Sequence, residues 1–222
     1  MSVYVEIVNL LFVFSTALLY PVILALLLLF GWSLALLGSI ISEYTSRRRD
    51  VGELEIVCLD LSETALSGRV DQAFSLAEGY RASPRVSAVL GEVAGSLKSD
   101  AFQPKIEKAL QDAELDMGKA LEPIKIGVRV GPMLGLMGTL IPMGPALISL
   151  SQGDIQQMAN SLVIAFSTTV IGLAVGGVCY GVYTVRNRWY RQDLSDLEYA
   201  VELLQIEVHK RMSAAEKGEA DR

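Results

Sequence analysis

Residues 130–150 read VGPMLGLMGTLIPMGPALISL, and residues 157–185 read QMANSLVIAFSTTVIGLAVGGVCYGVYTV. Across residues 130–185 the only charged side chain is Asp154, in the short connection between the two stretches. A helix rises about 1.5 Å per residue, so roughly 20 apolar residues cross the ~30 Å hydrocarbon core of a bilayer. Each stretch is long enough and apolar enough to be a membrane span. A third charge-free run goes from Leu10 to Ile41. It is longer than one crossing needs, so this first span tilts or projects beyond the bilayer. Pro21 lacks a backbone donor and is expected to kink it. A cleaved signal peptide is the competing reading of this run, but no positive residue precedes it and it is too long. The expected fold is all-α: an integral membrane protein with three transmembrane helices and long cytoplasmic helical extensions.

The chain has 222 residues, 51% of them hydrophobic, and a net charge of −6. The placement of the charges says more than their sum. No Lys or Arg precedes Arg47, and none lies between Arg129 and Arg186. Arg47, Arg48 and Arg49 follow the first span directly; Arg186, Arg188 and Arg191 follow the third. Basic residues collect on the cytoplasmic side of membrane proteins. The N-terminus is therefore placed outside and the C-terminus in the cytoplasm. The organisation read from this is an N-terminal segment with the first span (1–42), a cytoplasmic helical insert (43–129), the second span (130–150), an outer loop (151–156), the third span (157–185) and a cytoplasmic C-terminal helix and tail (186–222). No internal repeat is evident.

The polar parts carry helical periodicity. Leu54, Val57, Leu61 and Ala65 recur at three-to-four spacing in a helix read over 52–80, and a break is expected from Gly79 to Pro84. Pro84 suits the first turn of a short helix reaching Leu97, and Pro104 the opening of another. From there Ile106, Leu110, Met117, Leu121, Ile124 and Val128 share a face that runs into the second span, with Pro123 kinking rather than ending it. After the third span, Leu194, Leu197, Val201, Leu204 and Val208 recur with charges opposite, which predicts one continuous helix of about 50 residues. Ala214 to Arg222 are expected to fray.

The chemistry inside the spans is sparse. Span two contains Gly131, Gly135 and Gly138. Span three contains Gly172 and Gly176 within a stripe of small side chains that includes Ser161, Ala165 and Thr168 or Thr169. Small residues at this spacing let helices approach closely, and helix packing is the first reading of the glycines. Pro142 and Pro145 are expected to bend the outer half of span two. Thr139 lies eleven residues from the outer end of span two and Thr169 twelve from the outer end of span three. Both thus sit roughly 17 Å below the outer surface. A membrane Thr can satisfy its hydroxyl on its own helix, but two at matched depth on small-residue helices suggest a polar ring around an axis. A proton relay through a membrane normally uses buried Asp, Glu or His. None lies at depth here, so a proton path needs a second protein to supply the titrating group.

Other chemistries find little support. No nucleophile with a base, metal-ligand cluster or phosphate loop is present, so no enzyme activity, metal or cofactor is expected. Cys58 and Cys179 fall in a polar segment and an apolar run, and no disulfide is read between them. The single His209 lies in the tail. The chain is acidic and its Arg clusters flank spans, which argues against a nucleic-acid partner.

Leu134-Gly135-Leu136-Met137-Gly138-Thr139 resembles the LGLLGT signature that opens the second span of MotA/TolQ/ExbB proteins. Thr168-Thr169-Val170-Ile171-Gly172-Leu173 is similar to their TAxGL signature in the third. The order, the insert after span one and the orientation fit as well. The resemblance implies a plasma-membrane homopentamer that encloses two copies of a single-span partner resembling ExbD, TolR or MotB. That partner carries a membrane Asp, which Thr139 and Thr169 would face, with Thr168 and Ser161 on the same pathway. Proton passage would then drive rotation, making the chain a stator subunit of a proton-driven motor. The sequence also departs from the family. Ile164 stands where several relatives carry Glu, Val178 replaces a frequent Pro, and Pro142 and Pro145 are unusual. The lost Glu admits a second reading, a non-conducting membrane scaffold or assembly subunit of the same fold.

Overall fold

The computed structural model describes residues 2–46, 51–66, 84–96 and 102–220. Among these, every regular element is a helix: α1 (Ser2–Ala17), α2 (Leu19–Ser46), α3 (Val51–Leu66), α4 (Pro84–Ser96), α5 (Phe102–Ser151) and α6 (Ile155–Ala220). Three stretches are long and apolar enough to cross a membrane: Asn9–Thr45, Gln103–Ser151 and Ile155–Glu207. Arg47, Arg48, Arg49, the second half of the helix read over 52–80 and the Gly79–Pro84 break, Pro84 apart, lie outside the described residues.

The first apolar run is two helices joined at Leu18. A proline ring clashes with the carbonyl four residues before it. For Pro21 that residue is Ala17, where α1 ends. The interruption is one residue wide, because the Leu18 N–H still donates to the Phe14 carbonyl (3.3 Å) and the Val22 N–H to the Leu18 carbonyl (3.1 Å).

Helix α5 runs unbroken through Pro123, Pro132, Pro142 and Pro145. Apolar helices tolerate proline where neighbouring groups compensate. Its end is set by local chemistry. Gly153 adopts φ 78°, a left-handed conformation that costs glycine little. The Gly153 N–H then donates to the Leu150 carbonyl (3.1 Å) and the Asp154 N–H to the Ser149 carbonyl (2.9 Å). These two bonds close a Schellman turn. Asp154 also starts the next helix, its Oδ1 accepting from the Gln157 N–H at 2.9 Å. The connection is thus shorter than the loop expected at 151–156.

Helix α6 has 66 residues, longer than the 50 or so anticipated. It continues through Ala214–Ala220, where fraying was expected. The Ala, Glu and Lys residues there are strong helix formers, which outweighs the single glycine.

The chain packs as two units. The first, Met1–Ser42 with Leu121–Val185, is the apolar one. Its boundary falls nine residues before Val130, where charge alone had set it, because Leu121, Ile124 and Gly127 already pack inward. The second unit, Glu43–Ala120 with Arg186–Arg222, is a helical bundle. Helix α3 packs on α4. Leu54, Leu61, Leu90, Val93, Ile106, Leu197 and Leu204 are fully buried in it, and Met117 and Val201 nearly so. Leu194 and Leu110 are only half-buried. Asp193 and Asp196 are buried too, contrary to the expectation that the charges of α6 lie opposite its apolar stripe; each has an interaction partner. Arg186 Nη2 donates to Glu43 Oε2 at 3.2 Å, and the Tyr44 and Trp189 rings stack with centroids 6.4 Å apart.

Candidate functional site

The membrane unit is organised around the seam between α5 and α6. A Cβ placed on Gly138 would lie 2.5 Å from Thr168 Oγ1. One on Gly135 would meet Gly172 Cα (3.2 Å), the Thr168 carbonyl (3.3 Å) and Thr169 Cα (3.4 Å). One on Gly131 would meet the Gly172 carbonyl and Val175 Cγ1, both at 3.0 Å. From the other side, a Cβ on Gly172 would lie 2.7 Å from the Gly131 carbonyl and from Gly135 Cα. One on Gly176 would strike the Pro132 ring at 2.7 Å. The five glycines singled out in the sequence all line this seam: Gly131, Gly135 and Gly172 face backbone across it, Gly138 faces the Thr168 side chain and Gly176 the Pro132 ring. Moving along α5 from Gly131 to Gly138 is matched by moving backward along α6 from Val175 to Thr168, so the two helices are antiparallel neighbours.

This register fixes the level of the threonines. Thr169 lies opposite Gly135, and Thr139 follows Gly138 directly. The two hydroxyls are within about one helical turn, ~5 Å, of the same level. The Thr139 hydroxyl donates to the Leu136 carbonyl at 2.7 Å. The Thr169 hydroxyl reaches across the seam to the Gly135 carbonyl (3.4 Å) and also faces the Ala165 carbonyl (3.3 Å). Both side chains are half-buried. A hydroxyl has one donor and two acceptor lone pairs. With the donors spent on backbone carbonyls, what each threonine offers outward is acceptor capacity, which suits water, a protonated carboxyl or a cation.

Thr168 and Ser161 stand apart from this pair. Thr168 is buried against Gly138, and its hydroxyl donates to the Ala165 carbonyl (2.9 Å). Ser161 donates to the Gln157 carbonyl (3.1 Å), two turns toward the loop. Ile164 is exposed within the chain.

Two features of this unit were not singled out in the sequence. A Cβ on Gly127 would lie 2.7 Å from Cys179 Sγ and 2.9 Å from Trp32 Cζ3, so Gly127 is where α2, α5 and α6 meet. Its place four residues before Gly131 was the available signal. The second is Lys125, whose Nζ lies 5.5 Å from the centroid of the Tyr183 ring on α6. No periodicity points to that contact.

The MotA/TolQ/ExbB proton channel family model matches residues 79–199. That stretch is more than half of the chain and holds the whole α5–α6 seam. The chain belongs to this family. Comparison with curated proteins returns no match. The match begins after span one, so the family relationship rests on the seam and on the helices leading into and out of it. The family forms oligomeric channel complexes, and the glycines and threonines of the seam all lie within the matched residues.

Proposed function

We propose that this chain is the channel-forming stator subunit of a motor driven by the proton-motive force. In this reading five copies surround the single spans of two copies of a partner resembling ExbD, TolR or MotB. The partner supplies a membrane Asp that is protonated and deprotonated in turn. The complex sits in the plasma membrane with the N-terminus outside and the C-terminus in the cytoplasm, consistent with the Arg clusters after spans one and three. The chain itself catalyses no reaction and holds no cofactor.

One observation carries the proposal. Two half-buried hydroxyls at nearly one level, with donors already satisfied, stand at a seam that contains no carboxylate among residues 130–150 or 155–185. Such a wall can accept hydrogen bonds from a protonated group but cannot itself titrate. The moving proton therefore belongs on a partner, as the family's architecture supplies.

The test is the native mass of the complex extracted from its own membrane. A mass near five copies of 24.1 kDa plus two of a small protein carrying a membrane Asp is expected. A dimer, a trimer or a partner-free oligomer of another order removes the enclosed axis. The non-conducting scaffold remains the alternative because Ile164 replaces a carboxylate. Proton flux in vesicles that depends on the partner's Asp rules it out.

A further inference from the structure

We propose that Lys125 and Arg129 form a cationic collar at one end of the ion path, which turns back hydrated alkali-metal cations while protons pass. This deepens the proton-channel reading above and rests on it. The membrane unit carries five charged side chains in all: Glu6, Glu122, Lys125, Arg129 and Asp154. Its only two cations stand four residues apart on α5, one turn from each other. At about 100° per residue, Lys125 lies about 40° and Arg129 about 80° around the helix from Thr139. They lie about 21 Å and 15 Å along it toward the polar end. Both are exposed.

The placement is unfavourable for the helix alone, because like charges four residues apart repel. Glu122 is exposed three residues before Lys125, yet neither cation makes an ion pair among the described residues. Lys125 does not turn toward the leucine-rich surface of α2. It lies over Tyr183, across the same seam that Thr169 crosses to reach Gly135. The outward residues of α2, such as Leu24, Leu27 and Leu28, form an apolar surface suited to lipid. The cations thus share the side of the unit that carries the hydroxyls.

In an oligomer closed around an axis, each copy would add two positive charges to one ring. A metal cation must bring its charge and hydration shell through that ring, and a low-dielectric wall strengthens the repulsion. A proton carried on a partner carboxyl and handed along water need not place a cation there. A basic ring also draws anions, but residues 130–185 hold no further Lys or Arg, so an anion gains nothing by going deeper.

The experiment uses the complex extracted with its partner, reconstituted in vesicles of neutral lipid, with a pH-sensitive and a sodium-sensitive dye read in parallel. The wild-type complex is expected to pass protons, with sodium flux at the protein-free level. K125Q/R129Q should raise sodium flux relative to proton flux at least tenfold, and K125R/R129K should keep sodium out. If K125Q/R129Q excludes sodium as well as wild type does, or wild type itself admits sodium, the collar is wrong while the proton channel stands. A wild-type complex that passes neither ion overturns both. If the double variant loses the native mass, K125Q and R129Q are judged singly by the same ratio. Loss of co-purified anionic lipid from K125Q/R129Q without any sodium leak assigns the pair to lipid headgroups and overturns the collar.

Discussion

Gly172→Ala tests the seam on which the site is built. The added Cβ would lie 2.7 Å from the Gly131 carbonyl and from Gly135 Cα, and 3.0 Å from Gly135 N. All three atoms are backbone, so no side chain can swing aside. Ordinary contact begins at 3.4 Å, which requires the helices to separate by about 0.7 Å. A gap of that size forfeits a quarter to a half of the dispersion attraction of the atoms it parts, and overpacking of this kind costs about 1–3 kcal/mol. Alanine returns up to about 1 kcal/mol in helix propensity. The net expectation is a loss of up to about 2 kcal/mol, which for a chain of this size lowers the melting temperature by up to roughly 8 °C. Gly118→Ala is the control, since a Cβ there meets nothing within 4 Å and gains the propensity alone. Thermal unfolding of the two variants in one detergent makes the comparison. If Gly172→Ala is as stable as Gly118→Ala, the helices do not touch at Gly172, and the register that sets the two threonines level goes with it.

Three further outcomes follow from other parts of the molecule. Thr139→Val with Thr169→Val is expected to cut partner-dependent proton flux at least tenfold without changing the native mass; unchanged flux removes the polar ring. Burial first, and then the charge of Glu55, push the Cys58 thiol up to about 12 from an ordinary 9.0. The folded chain should therefore resist a thiol reagent at Cys58 at pH 8 and react there on unfolding. Because the unfolded thiol ionises first, its contribution to stability is present below pH 9 and is lost as pH rises from about 9 to 12; rapid labelling of the folded chain at pH 8 contradicts the burial. Glu43→Gln and Arg186→Gln should show a coupling of about 1 kcal/mol in a double-mutant cycle, the size expected of a half-buried ion pair, and additive effects would show that the pair does not hold α2 to α6.

Much of the fold was legible because the membrane imposes coarse rules. A charge-free run of sufficient length is a span whatever its detailed packing, and Leu10–Ile41, Val130–Leu150 and Gln157–Val185 all fall within stretches long and apolar enough to cross. The small residues of the seam were visible for the same reason: glycine at intervals of four in an apolar helix has few other uses. What could not be read was which small residue meets which. Thr168 and Thr169 are adjacent in sequence and chemically alike, yet a 100° rotation puts one against Gly138 and sends the other to the Gly135 carbonyl. Pattern also failed at Asp193 and Asp196, because the burial of a charge depends on partners contributed by distant residues. The edge of the packed apolar unit does not follow charge. Glu122, Lys125 and Arg129 mark a polar helix in sequence, while Leu121, Ile124 and Gly127, on the opposite face, already belong to the packed interior.

The seam also constrains how work can be done. Two helices whose backbones approach so closely at Gly131, Gly135 and Gly172 that an added Cβ would be crowded cannot slide or roll past each other without losing that fit at several points at once. In the proposed motor, the part of each copy that lines the path is then a stiff pair of helices, and the change on protonation falls on what the pair faces. The threonine hydroxyls accept hydrogen bonds without changing charge, so they hold a neutral carboxyl well and an ionised one poorly unless water intervenes. A carboxyl that loses its proton beside them loses its reason to stay and is drawn toward the next copy, where the same arrangement stands open to a fresh proton. One elementary charge crossing 100 mV supplies about 2.3 kcal/mol, and a stiff wall converts that into displacement instead of dissipating it in its own deformation. Loosening the seam, as Gly172→Ala does, should therefore uncouple proton passage from movement before it abolishes passage, and a variant that still conducts but no longer drives its partner is the signature of that mechanism.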